Sequence, residues 1–274
     1  MAIPFPDLLI PGLLLLSASA VAGVVAGLLG VGGGIVIVPV FYHVFTLLHL
    51  DDDAKMKVAV ATSLAGIIPT SLASMRAHFA RGAVDTQLLR DWGPWIAFGV
   101  CIGTVLAAYA RGAVLTVVFA TVAILVATQM ALTAEGTRIR ERVPTGAAKT
   151  LIATLIGGIS AMMGIGGGTL TVPVLSLSGY PIRRAVATAS VIGLIIAIPG
   201  TIGFILSGLN APHRPPLSFG YVNLAALAMT IPAMTLLAPV GARLAHSINV
   251  NALRKAFALF LTATAARMFY GLMT

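Results

Sequence analysis

The chain has 274 residues, of which 58% are apolar and only 9% charged, and its mean hydropathy is +1.02. Soluble domains carry about 25% charged residues, so a water-facing surface cannot be built from this composition and a soluble fold is excluded. The net charge of +9 comes from basic residues in short breaks between apolar runs, the habit of membrane loops; no long basic arm or basic–aromatic interleaving points to nucleic acid.

Apolar runs fall at roughly 8–29, 35–48, 57–80, 92–110, 113–133, 149–163, 169–178, 183–208, 218–242 and 250–272. One spanning helix needs about 20 apolar residues. The runs lack period-2 alternation, and backbone groups in lipid must be satisfied within their own segment, so an all-α integral membrane fold is predicted and strands are not. The first run resembles a signal-peptide core at Leu8 to Ala20. No Lys or Arg precedes it and apolar sequence continues to Leu29, so it is read as a retained first membrane segment. Cys101 is the one cysteine, which rules out an intrachain disulfide and a cysteine metal cluster.

The most charged linker, 135–148, lies at mid-chain and predicts two halves: a first membrane repeat at 1–134, a basic cytoplasmic linker at 135–148, and a second membrane repeat at 149–274. Gly30-Val31-Gly32-Gly33-Gly34 is followed by Val38-Pro39-Val40, and Gly164-Ile165-Gly166-Gly167-Gly168 by Val172-Pro173-Val174, at a constant offset of 134. Ala59-Val60-Ala61-Thr62-Ser63 matches Ala185-Val186-Ala187-Thr188-Ala189, and Gly103, Phe119 and Met130 match Gly241, Phe257 and Met268. Such internal symmetry is a signature of duplicated architectures.

If each glycine motif joins two segments that return to one side, each half is a broken helical hairpin plus about three crossings, and the halves are inverted. Twelve basic residues then face the cytoplasm and five the outside; with 149–178 as one broken crossing the split is nine against eight. The positive-inside rule prefers the hairpin. Residues 169–178 reach only about half of a ~30 Å hydrocarbon core, so the second motif is expected near the midplane. The first run, 8–29, is long enough to cross fully.

Consecutive glycines in a helix cost about 1 kcal/mol each against alanine. Their expected use is to break the helix and present N–H groups, with the partial positive charge of the following helix N-terminus, to an anion. Broken helices of inverted repeats meeting at the midplane are a recurring transporter design; the alternative is close helix packing through small residues. The candidate substrate-binding residues are Gly32, Gly33, Gly34, Thr62, Ser63, Gly166, Gly167, Gly168, Thr188 and Ser190. The hydroxyls donate to anion oxygens without burying a charge, or else bond their own helix. Arg76 is read as an attractor of anions or a snorkelling residue, and His43 as the best-placed proton-handling group. All eight acids fall in or beside loops, which argues against a metal-cation carrier and a paired-carboxylate enzyme. Neither glycine motif has the lysine of a P-loop or the spacing of a dinucleotide fingerprint. No cofactor and no catalytic residue is expected.

At the glycine motifs the chain resembles the TauE/SafE sulfite exporter family, also called toluene-sulfonate uptake permeases. The residues that carry it are Gly27-Leu28-Leu29-Gly30-Val31-Gly32-Gly33-Gly34 with Val38-Pro39, then Ala61-Thr62-Ser63, then Gly164 to Pro173 with Ala187-Thr188. The second half departs from the first with Ala189 in place of Ser63, Ser190 being adjacent. The resemblance implies a secondary transporter for sulfite or an organosulfonate, exporting from the cytoplasm across the cell inner membrane. Uptake of an organosulfonate and a non-transporting membrane scaffold are the alternatives. The expected partners are the anion and the lipid bilayer, with no nucleic acid; a homo-oligomer is compatible with the sequence.

Overall fold

The computed structural model describes residues 12–13, 15–24, 33–132, 143–212, 214–244 and 250–273. The protein is an all-α integral membrane protein. Its helices are α1 (Leu15–Val24), α2 (Gly34–Leu47), α3 (Asp52–Phe79), α4 (Thr86–Tyr109), α5 (Gly112–Leu132), α6 (Gly146–Met163), α7 (Gly167–Leu177), α8 (Ile182–Gly208), α9 (Leu224–Leu244) and α10 (Val250–Met273). Six segments are long and apolar enough to span a membrane, in α3, α4, α5, α6, α8 and α10. The helices α2 and α7, of 14 and 11 residues, reach only about 21 Å and 16 Å, short of a hydrocarbon core.

The centre is a packed pair, α3 and α8, with α2 laid on α3 and α7 on α8. Each central helix also meets a helix of the other half, α3 with α9 and α8 with α4, while α5 packs on α10. The α4–α6 seam is closed by glycines: a Cβ on Gly99 or Gly157 would collide with the backbone of Thr154 or Ile96, and one on Gly103 with Gly158. Small residues let helix backbones approach where lipid offers no hydrophobic drive between helices. On the outward faces Phe98, Ile102, Val105, Leu125, Leu151 and Leu155 are exposed, as lipid contact requires.

Helix starts follow ordinary capping. The side chain of Asp51 accepts from Asp53 N–H and Ala54 N–H at the head of α3, and that of Asp85 from Gln87 N–H and Leu88 N–H at the head of α4. Asn223 Oδ1 accepts from Ala226 N–H at 2.8 Å at the head of α9. A carboxylate or amide oxygen there satisfies donors that have no partner within the helix.

One expectation is corrected. The run at 218–242 is not helical from its start: Ser218–Phe219 pairs antiparallel with Val222–Asn223, and α9 begins only at Leu224. Gly220, at φ 59°, makes the turn and lies too close to Ile205 to carry a Cβ. Apolarity alone hid a tight turn that the Gly220 and Asn223 positions could have signalled.

Candidate functional site

The two glycine motifs meet. α6 ends on Gly164 in the left-handed conformation, φ 69°, with Ile165 N–H returning to the Ser160 carbonyl at 3.1 Å, the usual glycine stop. The carbonyl of Gly164 accepts from Ser63 Oγ at 2.7 Å, and a Cβ on Gly34 would sit 2.8 Å from that same oxygen. The head of α2 thus abuts the break between α6 and α7. Gly33, at φ 72°, starts α2 and takes Val36 N–H and Ile37 N–H on its carbonyl. By helix geometry the first N–H groups of α2 and α7 have no acceptor within their helix. Inside these helices Pro39 and Pro173 each remove one further ladder bond.

Gly33, Gly34 and Gly164 to Gly168 are all buried. Gly167 packs on α8, where a Cβ would lie 2.7 Å from Ile192 Cγ2 and 2.8 Å from the Gly193 nitrogen. Gly34, Gly164 and Gly167 are therefore close-approach positions as well as helix breaks. Alanine at any of them carries a steric cost. Gly32 lies outside the described residues, as does linker segment 135–142.

The hydroxyls divide. Thr62, buried in α3, accepts from Asn223 N–H at 3.0 Å. Thr188, buried in α8, accepts from Asp85 N–H at 3.0 Å. Each threonine thus takes the backbone donor of the residue that caps a helix of the other half. Asn223 follows the end of α8 and Asp85 follows the end of α3, so the two central helices run antiparallel, with one threonine bond near each end. Neither bond was legible in the sequence, because it joins residues 161 and 103 positions apart. Ser190 Oγ donates to Ala187 carbonyl in its own helix and does not reproduce the Ser63 contact that Ala189 cannot make.

At the Thr188 end, Tyr180 donates its hydroxyl proton to Asp85 Oδ2. That bond, reinforced by Leu88 N–H and the nearby Arg184, holds the Asp85 carboxyl below its ordinary range. Burial, then the Asp85 carboxylate, pushes the Tyr180 phenol up to about 12. A cleft of about 260 Å³ lies beside it, lined in part by Asp85, Asp91, Trp92 and Lys149. At the Thr62 end, Lys57 Nζ donates to the Ala108 carbonyl at 3.2 Å and lies 5.7 Å from the Tyr221 ring centre. Asp53 takes Gly112 N–H at 2.9 Å. Asp85, Asn223, Tyr180 and Lys57 were not among the sequence candidates; the first two carried a signal, as capping residues ahead of apolar runs.

Arg76 and His43 stand apart from this junction. Arg76 is exposed in the last turn of α3. His43 is half-buried on α2, edge-on to Tyr42, in a largely apolar cleft of about 300 Å³ between α1 and α2. Among the described residues no group of three or more His, Cys, Asp or Glu could hold a metal ion.

Six helices among the described residues, long and apolar enough to cross a membrane, define a multi-pass membrane protein. The signature of the sulfite exporter TauE/SafE family matches residues 15–268, and the chain belongs to that family. It is 32% identical over 257 residues to a probable membrane transporter protein of Haemophilus influenzae, covering 94% of this chain and 97% of that one. It is 27% identical over 227 residues to a probable membrane transporter protein of Methanocaldococcus jannaschii, covering 82% of each. Against the probable membrane transporter protein YunE of Bacillus subtilis the identity is 30% over 212 residues, 69% of this chain and 76% of the relative. No solved structure matches the chain.

Proposed function

We propose that the protein is a secondary carrier that exports a small sulfur-containing anion, sulfite or an organosulfonate, across the inner membrane. The observation that carries this is the apposition of the two glycine breaks, with the head of α2 set against Gly164 and Ile165 at the bundle centre. Amides of Gly33 and Gly34 and of Gly166, Gly167 and Gly168 supply the positive ends of two half-helices to one anion. The family name supports the substrate class. An exported anion gains about 2.3 kcal/mol per charge per 100 mV from a negative cell interior, so no nucleotide is needed.

The antiparallel α3–α8 pair supports an inverted repeat, 1–134 against 149–274, joined by the cytoplasmic linker 135–148. The threonine bonds then act as latches on opposite sides, Thr62 with Asn223 and Thr188 with Asp85. Opening one while the other stays closed gives the central site access to one side at a time. In this reading Thr62, Ser63, Thr188 and Ser190 border the route and hold its walls.

Thermal unfolding of the purified protein tests the reading, with sulfite, sulfate, thiosulfate, taurine and sulfoacetate at matched ionic strength. A ligand at a hundred times its Kd stabilises by about 2.7 kcal/mol, so at least one should raise the melting temperature where chloride does not. A melting temperature indifferent to all five would point to a scaffold without a substrate.

A further inference from the structure

Several buried hydroxyls in these helices spend their proton on a carbonyl one turn back, as Ser19, Thr116 and Thr230 do on Leu15, Gly112 and Ala226. Thr104, Ser160, Thr171, Ser176, Thr201 and Thr235 do not, and of these Ser160 and Thr171 flank the break between α6 and α7. Both are 0% exposed, and neither hydroxyl has a hydrogen-bond partner among the described residues. A buried hydroxyl left unpaired costs about 1–3 kcal/mol, and in lipid no bulk water relieves it. Such groups call for an explanation.

Their places supply one. Ser160 lies one turn before Gly164, and its carbonyl takes the Ile165 N–H across the break. Thr171 lies one turn beyond Gly167, on the same face of α7 as Gly167 and Leu175, all buried. That face packs on α8, with Gly167 against Ile192 and Gly193. α7 and α8 are joined by the short connection 178–181 and run antiparallel, so Thr171 stands level with about residue 188. The break between α6 and α7 is therefore flanked on each side by an unused hydroxyl donor. The first motif has no such pair: at the offset of 134 residues, Ala26 stands for Ser160 and Ile37 for Thr171.

We propose that Ser160 and Thr171 are hydroxyl donors to the transported oxyanion, so that the second glycine motif adds side-chain donors to its backbone amides while the first offers backbone amides alone. The inference rests on the carrier reading above. An oxyanion of sulfur offers several acceptor oxygens at once, and a hydroxyl donates to one without a buried charge. A two-fold arrangement of hinges thus encloses a binding site that is not two-fold.

The test uses the full chain in detergent and sodium sulfite as the probe, with sodium chloride holding ionic strength constant. Melting temperature is followed against sulfite for the unaltered protein, Ser160→Ala, Thr171→Val and the self-bonded control Thr230→Val. Both site variants should melt at or above the parent temperature without sulfite, since an unpaired polar group has been removed, yet need about tenfold more sulfite for half the stabilisation, the loss expected for a hydrogen bond to a charged group. Thr230→Val should keep the parent sulfite dependence. Parent-like sulfite dependence in both site variants overturns the inference and leaves the carrier reading standing. A melting temperature several degrees lower without sulfite also overturns it, because the hydroxyl would then have a structural partner. Absence of a sulfite response in the unaltered protein overturns the assignment of sulfite to this site and the present inference with it.

Discussion

Thr62 and Thr188 hold backbone N–H groups that belong to the opposite half of the chain. Valine at either position keeps the shape and strands a backbone donor, buried at Asn223 and part-buried at Asp85; a buried donor left unpaired costs about 1–3 kcal/mol, a part-buried one less. Thr62→Val and Thr188→Val should therefore lower the melting temperature. Equal melting of both variants and the parent would remove the latches from the account. The Asp85–Tyr180 bond adds a pH signature. The lowered Asp85 carboxyl contributes stability that is complete above about pH 4 and is lost as pH falls through its folded value. The raised Tyr180 phenol contributes stability that is present below about pH 10 and is lost as pH rises through about 12. The stability gap between parent and Tyr180→Phe should thus be widest between about pH 5 and 9 and close towards both extremes. A gap independent of pH would show that Tyr180 acts by packing alone.

Glycine has two separable uses in the helices and their ends. Gly164 combines a φ of 69° with Val60 backbone atoms 2.8–2.9 Å from where a Cβ would stand. Gly82 and Gly146 also have positive φ, at 61° and 60°, but open space around them. Alanine at Gly82 or Gly146 should cost only the left-handed strain, about 1–2 kcal/mol, whereas Gly164→Ala should sharply reduce the yield of folded protein. Comparable yields for all three would mean that the α6–α7 break is loosely packed. The spans were legible because membrane helices announce themselves by length and hydropathy; α5, α6 and α8 fall almost where the apolar runs lie, whereas α4 starts well before its run and α9 well after. The break between α6 and α7 was legible from the Gly-Gly-Gly of the second motif and its trailing proline. What was not legible is tertiary: Ser63 on the Gly164 carbonyl, Asp85 beneath Tyr180, and the hairpin at Gly220, each fixed by contacts between distant segments rather than by local pattern.

At the scale of the whole molecule, charge and contact agree. Asp85, Lys149, Tyr180 and Arg184 gather at one end of the bundle, while Asp53, Lys57, Gly112 and Tyr221 gather at the other. The inverted arrangement predicts that cysteines placed in 135–142 and in 245–249 react with impermeant reagent from the cytoplasmic side only, and cysteines near Asp51 and Arg214 from the outside only. Labelling of 135–142 and 245–249 from opposite faces would refute it. The central claim, that the apposed glycine breaks serve passage of a sulfur oxyanion, is tested most directly by flux. Proteoliposomes loaded with labelled sulfite should release it faster than protein-free vesicles, faster still with a potential negative inside, and excess unlabelled sulfite should slow the efflux by competition. Efflux equal to that of protein-free vesicles, with folded protein present in the bilayer, would contradict the account.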